Sequence, residues 1–398
     1  MHNRFLNKEK LGLLLLFLIN SFAGWLFCTV QLFFDKKKRY YNLSFWAFLS
    51  IILISLFNAT KVPENDLEWY SSFYLMAGKY SLSNYMTLLT GGKEPLYQMI
   101  VYFLHLIGGD NVHFFTFSIS FMSYFFLLKT LFLWKKEFDI SDTDFILCIA
   151  VLCFFPLTYA LSVHIIRQFL ALSIMLWSFF SYQKTRKKLY LCTAICDVFI
   201  HSSVVIFIPF MFFIKIVEKP IKLKYLYVGA FFIAVMSSIK TLSNIALQYV
   251  SHNKTLYHIT KTAVDGTTFE TELPQSQFLF SIFLVTLGFI CSYWINPNLK
   301  QNKFATAFLN FSLFLIIFIA INKNFSEIQL RYNFYFWSFI SFFTMLYLSS
   351  LRIQSCIKQV FTVVLFILWN FYNLFLSQWT YTCSYFYFIY PSFWYFLN

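Results

Sequence analysis

The residues best able to do chemistry are Asp66, Glu94, His164, Arg167, Gln168, His201 and Arg331, ionisable or polar groups set in or beside strongly apolar stretches. An arginine in hydrocarbon costs about 2.5 to 3.5 kcal/mol on insertion scales, so Arg167, in HIIRQFLALSIMLWSFFSY, marks a place where charge is used. Two guanidinium groups, Arg167 and Arg331, suit a diphosphate, because guanidinium binds phosphate oxygens bidentately and stays charged at any relevant pH. Asp66, Glu94 or His201 could take the proton of a sugar hydroxyl as it attacks, His201 first because it follows the Arg167 segment most closely. His164, three residues before Arg167, falls on the same face of a helix, and Gln168 adjoins it. Trp69, Tyr70 and Tyr332 offer aromatic faces to a sugar or a lipid.

Each of these residues also has a plainer use. Arg167 and Arg331 could snorkel to headgroups, Asp66 could pair with Lys61, and Glu94 could serve as an N-cap-like group before Pro95. His201 could satisfy a helix break, and Tyr332 with Tyr335 could belong to an interfacial belt. The chain has no phosphate-binding glycine loop, dinucleotide fingerprint, HExxH or nucleophile elbow, so an activated donor is expected to be lipid-borne. No cofactor and no metal are expected. Of eight cysteines, Cys28, Cys148, Cys153, Cys192, Cys196 and Cys291 fall within expected spans and read as small core residues.

Positioning these groups falls to apolar helices. The chain is 59% hydrophobic and 12% charged, which excludes a soluble domain, and its apolar runs of about 17 to 25 residues are those of α-helical spans. The formal charge of +14 sits in short loops between spans, so nucleic acid is not the expected partner; membrane lipid is. Leu11–Phe34 is too long for a cleavable signal core and reads as a first span. The basic run Lys36, Lys37, Lys38 and Arg39 places the next loop in the cytoplasm, against the weaker pull of Arg4, Lys8 and Lys10.

Residues 59–94 then form a first external loop, in which Asp66, Trp69, Tyr70 and Phe73 recur at i, i+3, i+4, i+7, the face of an interfacial helix. Pro95–Ile107 is too short to cross and reads as re-entrant or interfacial. Val112–Trp134 crosses, Phe145–Val163 returns with an interruption at Pro156, and Phe169–Tyr182 leads to the basic run Lys184, Arg186, Lys187 and Lys188. Leu189–Ile216, with Asp197, His201, Ser202 and Ser203 near its centre, reads as two short segments meeting at an outer break. Tyr225–Leu247 leads to a second external loop, 248–277, and four further spans follow. The expected architecture is all-α, a single transmembrane domain over 1–398 with about twelve spans. It puts Asp66, Glu94, His164, Arg167, His201 and Arg331 on or near one outer face, which favours an enzyme over a transporter, whose ionisable groups gather near the midplane.

NDLEWY with Asp66 and Tyr70, KEPLY with Glu94, IRQFLALSI with Arg167, FIHSSVVIFIP with His201 and LRYNFY with Arg331, in that order, resemble the EpsG-like branch of Wzy-type bacterial polysaccharide polymerases. The resemblance implies a helical membrane fold similar to the lipid-linked GT-C glycosyltransferases. It also implies an enzyme of the inner membrane working at its periplasmic face, in the synthesis of O-antigen (lipopolysaccharide), capsule or exopolysaccharide. The implied partners are undecaprenyl-diphosphate-linked glycans, as donor and as acceptor, and a chain-length regulator. A lipid-linked oligosaccharide flippase, and a single-addition polyprenyl-dependent glycosyltransferase or ligase, are the alternatives.

Overall fold

The computed structural model describes residues 8–34, 39–63, 66–90, 94–221, 275–322, 326–351 and 353–375. These are helices joined by turns and short breaks, with no strand among them, as expected of a polytopic membrane protein. The expected Tyr225–Leu247 span, the second external loop over 248–274 with its His and acidic residues, and the Lys36–Lys38 run lie outside the described residues.

The chain divides into two compact units, Met1–Met211 with Arg352–Asn398, and Phe212–Leu351. The first contains α1 (Lys8–Ile19), α2 (Ser21–Phe34), α3 (Arg39–Ala59), α4 (Asp66–Ala77), α5 (Leu82–Thr90), α6 (Pro95–Gly108), α7 (Val112–Phe138), α8 (Asp142–Phe154), α9 (Pro156–Leu161), α10 (Ile166–Thr185) and α11 (Lys188–Asp197). A 3-10 turn, Ser202–Ile206, and α12 (Phe207–Phe212) follow. The second unit holds α13 (Ile214–Val217), α14 (Gln275–Ile290), α15 (Lys303–Ile321), α16 (Ser326–Ser338) and α17 (Ile340–Ser350). The last described helix, α18 (Ser355–Phe375), belongs to the first unit and packs on α8.

Among the described residues, Val112–Phe138, Gln277–Ile295 and Lys303–Ile321 are long and apolar enough to cross a membrane, and other apolar helices such as Leu43–Ala59 and Pro95–Gly108 are shorter. Several are short because polar groups interrupt them. The expected first span is two helices, since Asn20 Oδ1 accepts the Ala23 N–H at 2.8 Å and caps a new helix inside the apolar run. Gly24 then lies against the Phe17 backbone, where a Cβ would come within 2.5 Å of Phe17 Cα. Pro156 separates α8 from α9 as its missing N–H requires, and Leu189–Ile216 breaks at residues 198–201, both as expected.

The centre of the first unit is α7, packed along α10 and α3. At 27 residues it is about 40 Å long, from 1.5 Å per residue. Polar side chains bind one another across it: Asn58 Nδ2 donates to Ser120 Oγ at 2.8 Å and to Ser162 Oγ at 3.2 Å. Lys61 Nζ donates to the Tyr159 carbonyl at 2.9 Å, 3.7 Å from that residue's ring centroid. Groups paired in this way escape the cost of being buried unpartnered. They tie the end of α3 to α7 and α9, beside the start of α10.

Cys28, Cys148, Cys153 and Cys291 are buried, but Cys192 and Cys196, expected in the core, are exposed on α11. A four-residue spacing puts both on one face of that helix, and that face is its outer one.

Candidate functional site

Four short pieces of the first unit meet around Arg167. The residue lies in the first turn of α10, whose N-cap position, Ile165, supplies no side-chain cap. An uncapped helix start presents free N–H groups and the positive end of the helix dipole. Adding a guanidinium there concentrates positive potential, which demands an anion. Glu94 supplies it, its Oε2 forming an ion pair and hydrogen bond with Arg167 Nη1.

Glu94 reaches this position because it immediately precedes α6. Its backbone is left-handed, φ 53° and ψ 52°, a conformation that costs a non-glycine residue roughly 1 to 2 kcal/mol. Pro95 at the first helical position has no N–H to leave unpaired. The next free donor, the Leu96 N–H, bonds the Phe199 carbonyl at 3.2 Å. That bond joins the start of α6 to the break after α11, and two residues beyond Phe199 stands His201. His201 Nε2 lies 3.6 Å from Glu94 Oε1, longer than a formed hydrogen bond.

The aromatic walls come from α4 and α6. Arg167 Nε donates to the Tyr70 hydroxyl at 3.3 Å, and its Cζ lies 5.2 Å from the Tyr70 ring centroid and 5.9 Å from that of Tyr97. The two rings meet edge to face at 6.3 Å. Guanidinium against two aromatic faces gains cation–π attraction and holds one orientation. Burial, the largest cause, raises the Tyr70 hydroxyl above the usual tyrosine range although Arg167 pulls it down, so Tyr70 is a neutral phenol at physiological pH. The cluster remains partly open to solvent, the side chains of Arg167 and Glu94 being 33% and 13% exposed.

The structure therefore brings Glu94, Arg167, His201 and Tyr70 together. Asp66 is exposed at the start of α4, close enough for its charge to act on Tyr70. Trp69 and Tyr70 face opposite ways: the inward stripe of α4 is Leu67, Tyr70, Ser71, Tyr74 and Ala77, while Trp69 is 66% exposed and leans on Phe73. His164 does not share a helical face with Arg167, because residues 162–165 form a turn and α10 begins at Ile166. Gln168 is buried beside Arg167 in sequence. Arg331 and Tyr332 belong to the second unit, on α16, where Arg331 is exposed and Tyr332 meets Phe318 and Tyr335 edge-on at 5.0 and 5.2 Å.

Two members of the cluster, Tyr97 and Ser203, are not among the candidate site residues of the sequence. Tyr97 sits in KEPLY without any spacing that would single it out among 26 tyrosines. Ser203 approaches His201 through local geometry, its Oγ 2.7 Å from Nδ1 and its backbone N–H donating to Nδ1 at 3.2 Å. Among the described residues no group of three or more His, Cys, Asp or Glu is placed to hold a metal ion.

A protein-family model described as "EpsG family" matches residues 41–392, a range that includes every residue of this cluster. No match was found among curated proteins or among solved structures.

Proposed function

The chain belongs to the EpsG family, and on that premise we propose that it is a membrane glycosyltransferase that polymerises undecaprenyl-diphosphate-linked oligosaccharide repeat units. The growing glycan passes from its diphosphate carrier to a sugar hydroxyl of the incoming unit, at the periplasmic face of the bacterial inner membrane. The observation that carries this reading is the placement of Arg167. A guanidinium at an uncapped helix start, aligned by two tyrosines and partly open, is suited to a phosphate group and to the charge that grows on it as the glycosidic bond breaks.

Glu94 pairs with that guanidinium and His201 faces Glu94 from 3.6 Å, so either can serve a hydroxyl brought against the phosphate-bearing carbon. The chemistry asked of the site is positioning, stabilisation of an anionic leaving group and removal of one proton. Tyr70 stays neutral in this scheme and orients Arg167. Trp69, on the open side of α4, is placed to meet the lipid or sugar of an arriving substrate.

The test is the surface-glycan profile of cells lacking the gene, complemented with wild type or with Arg167→Ala at matched membrane abundance. A polymerase leaves glycans capped by one repeat unit in the deletion strain, and only wild type restores the ladder. Loss of even the single capped unit, with lipid-linked repeats accumulating on the cytoplasmic face, would identify a flippase instead. A ladder restored by Arg167→Ala would remove Arg167 from the site.

A further inference from the structure

His201 presents two ring nitrogens to two different kinds of neighbour. Nδ1 receives the Ser203 backbone N–H at 3.2 Å, and a backbone N–H can only donate. Nδ1 is therefore an acceptor, and the Ser203 hydroxyl, 2.7 Å away, donates to the same nitrogen. At the other side of the ring, Nε2 stands 3.6 Å from Glu94 Oε1, and an ionised carboxylate can only accept. Both neighbours call for the same tautomer, neutral imidazole with its proton on Nε2.

We propose that Ser203 is a positioning residue that fixes His201 in this tautomer, and that Glu94 is in consequence the group that takes the proton of the acceptor hydroxyl. The assignment rests on the polymerase reading above and deepens it. An imidazole whose Nδ1 lone pair is held by Ser203 and whose Nε2 already carries hydrogen has no site left for a substrate proton. Glu94 can take it, since an ionised carboxylate only accepts and offers about four lone-pair positions over its two oxygens. His201 thus acts through Glu94, turning an N–H toward its Oε1 from 3.6 Å, and Ser203 acts through His201.

In the step so assigned, the acceptor hydroxyl oxygen forms a bond to the anomeric carbon of the donor, and its proton passes to Glu94. The bond from that carbon to the diphosphate oxygen breaks, and its electron pair leaves with undecaprenyl diphosphate beside Arg167. A phosphate arriving at Arg167 also competes with Glu94 for the guanidinium.

The experiment uses the full chain in nanodiscs with ring-¹⁵N-labelled histidine, together with undecaprenyl-diphosphate-linked repeat units isolated from the deletion strain. The His201 signals, identified by their loss in His201→Gln, are expected to show a bare Nδ1 and a protonated Nε2. Ser203→Ala should mix the tautomers and lower kcat by about 10- to 100-fold at unchanged KM, as loss of a group that orients another does, with Ser203→Thr restoring both. Because a glutamine amide can replace the Nε2–H, His201→Gln should lose about 10-fold, against about 10²- to 10⁴-fold for Glu94→Gln. A protonated Nδ1 in wild type, or wild-type kinetics in Ser203→Ala, overturns the proposal, as does a His201→Gln loss equal to that of Glu94→Gln. If wild type fails to extend the repeat units, the polymerase reading falls, and the tautomers of wild type and Ser203→Ala still decide the role of Ser203.

Discussion

Arg167 and Glu94, 73 residues apart in the chain, form an ion pair between the starts of two helices, α10 and α6. Each side chain has an unfavourable setting that the other offsets. Arg167 sits at the positive end of its helix dipole, and Glu94 holds a left-handed backbone. The pair uses Nη1 while Nε bonds Tyr70, so the geometry needs a guanidinium fork and not a point charge. Arg167→Lys should keep the fold and the membrane abundance but lower polymerisation by about 10²- to 10³-fold, the cost of removing a preorganised donor. Rates measured at equal protein amount check this, and a lysine variant as active as wild type would show that charge alone suffices.

Adjacent residues on α4 make opposite predictions. Tyr70 is buried against Arg167, and Trp69 is exposed. Trp69→Ala should change unfolding stability by no more than about 0.5 kcal/mol, as an exposed side chain does. Tyr70→Phe removes one hydrogen bond and should cost about 1 kcal/mol of stability. It should also lower the rate several-fold, because the guanidinium loses the partner that fixes its rotation. The Tyr70 phenol is already neutral at physiological pH, so the pH–rate profile of Tyr70→Phe should keep the wild-type shape near neutrality. A shifted profile would give Tyr70 a proton-transfer role.

What could be read in the sequence follows from what is local. Apolar runs, the Pro156 interruption and the break near His201 are written in consecutive residues, and the structure has them. The i, i+3, i+4, i+7 series Asp66, Trp69, Tyr70, Phe73 does give a helix, but the buried stripe is rotated from it, because Leu67 and Tyr74 bury more surface than Asp66 can. The split at Asn20 was not legible, since one polar residue in an apolar run equally fits a continuous span; only the cap bond to Ala23 decides. Helical spacing pairs His164 with Arg167 only within one helix, and α10 begins between them. The encounter of Glu94 with His201 depends on the Leu96-to-Phe199 backbone bond, about which side-chain identities say nothing.

Tyr74 gives a pH dependence whose sign can be worked out. It is buried on α4, stacked on Phe115 at 4.8 Å, and its hydroxyl has no hydrogen-bond partner among the described residues. Burial first, and then the charge of Asp110, raises its pKa to about 12. The folded value lies above the unfolded one of about 10, so the folded state prefers the neutral phenol. Its contribution is intact below about pH 10 and is lost as pH rises from there to about 12. Tyr74→Phe should leave stability near neutral pH unchanged or slightly higher, and should flatten the alkaline fall. Unfolding of the detergent-solubilised protein from about pH 8 to about pH 12 measures the difference; an identical alkaline limb in both proteins would place the Tyr74 hydroxyl in water.

The attachment of α18 to α8 depends on a second ion pair, Lys358 with Asp144, whose side chains are each 11% exposed. Asp144 is held from its own helix as well: Ser141 caps α8, accepting the Asp144 N–H at 3.2 Å and donating its hydroxyl to Oδ2 at 2.7 Å. The carboxylate cannot turn away to solvent without giving up the Ser141 hydroxyl that donates to it. Truncating the lysine therefore leaves a fixed, buried, uncompensated charge, and Lys358→Ala should destabilise by about 3 to 5 kcal/mol. The double substitution Lys358→Met, Asp144→Leu should recover most of that loss, because desolvating both charges costs about as much as their attraction returns. None of the Arg167 cluster belongs to α8 or α18, so the double variant should polymerise at the wild-type rate per folded molecule. Thermal unfolding of the three proteins in one detergent separates the outcomes. A lysine variant as stable as wild type would mean that water reaches Asp144, and α18 would then be held by its aromatic contacts, Phe366 and Trp369 against Phe154 at 5.4 and 5.5 Å.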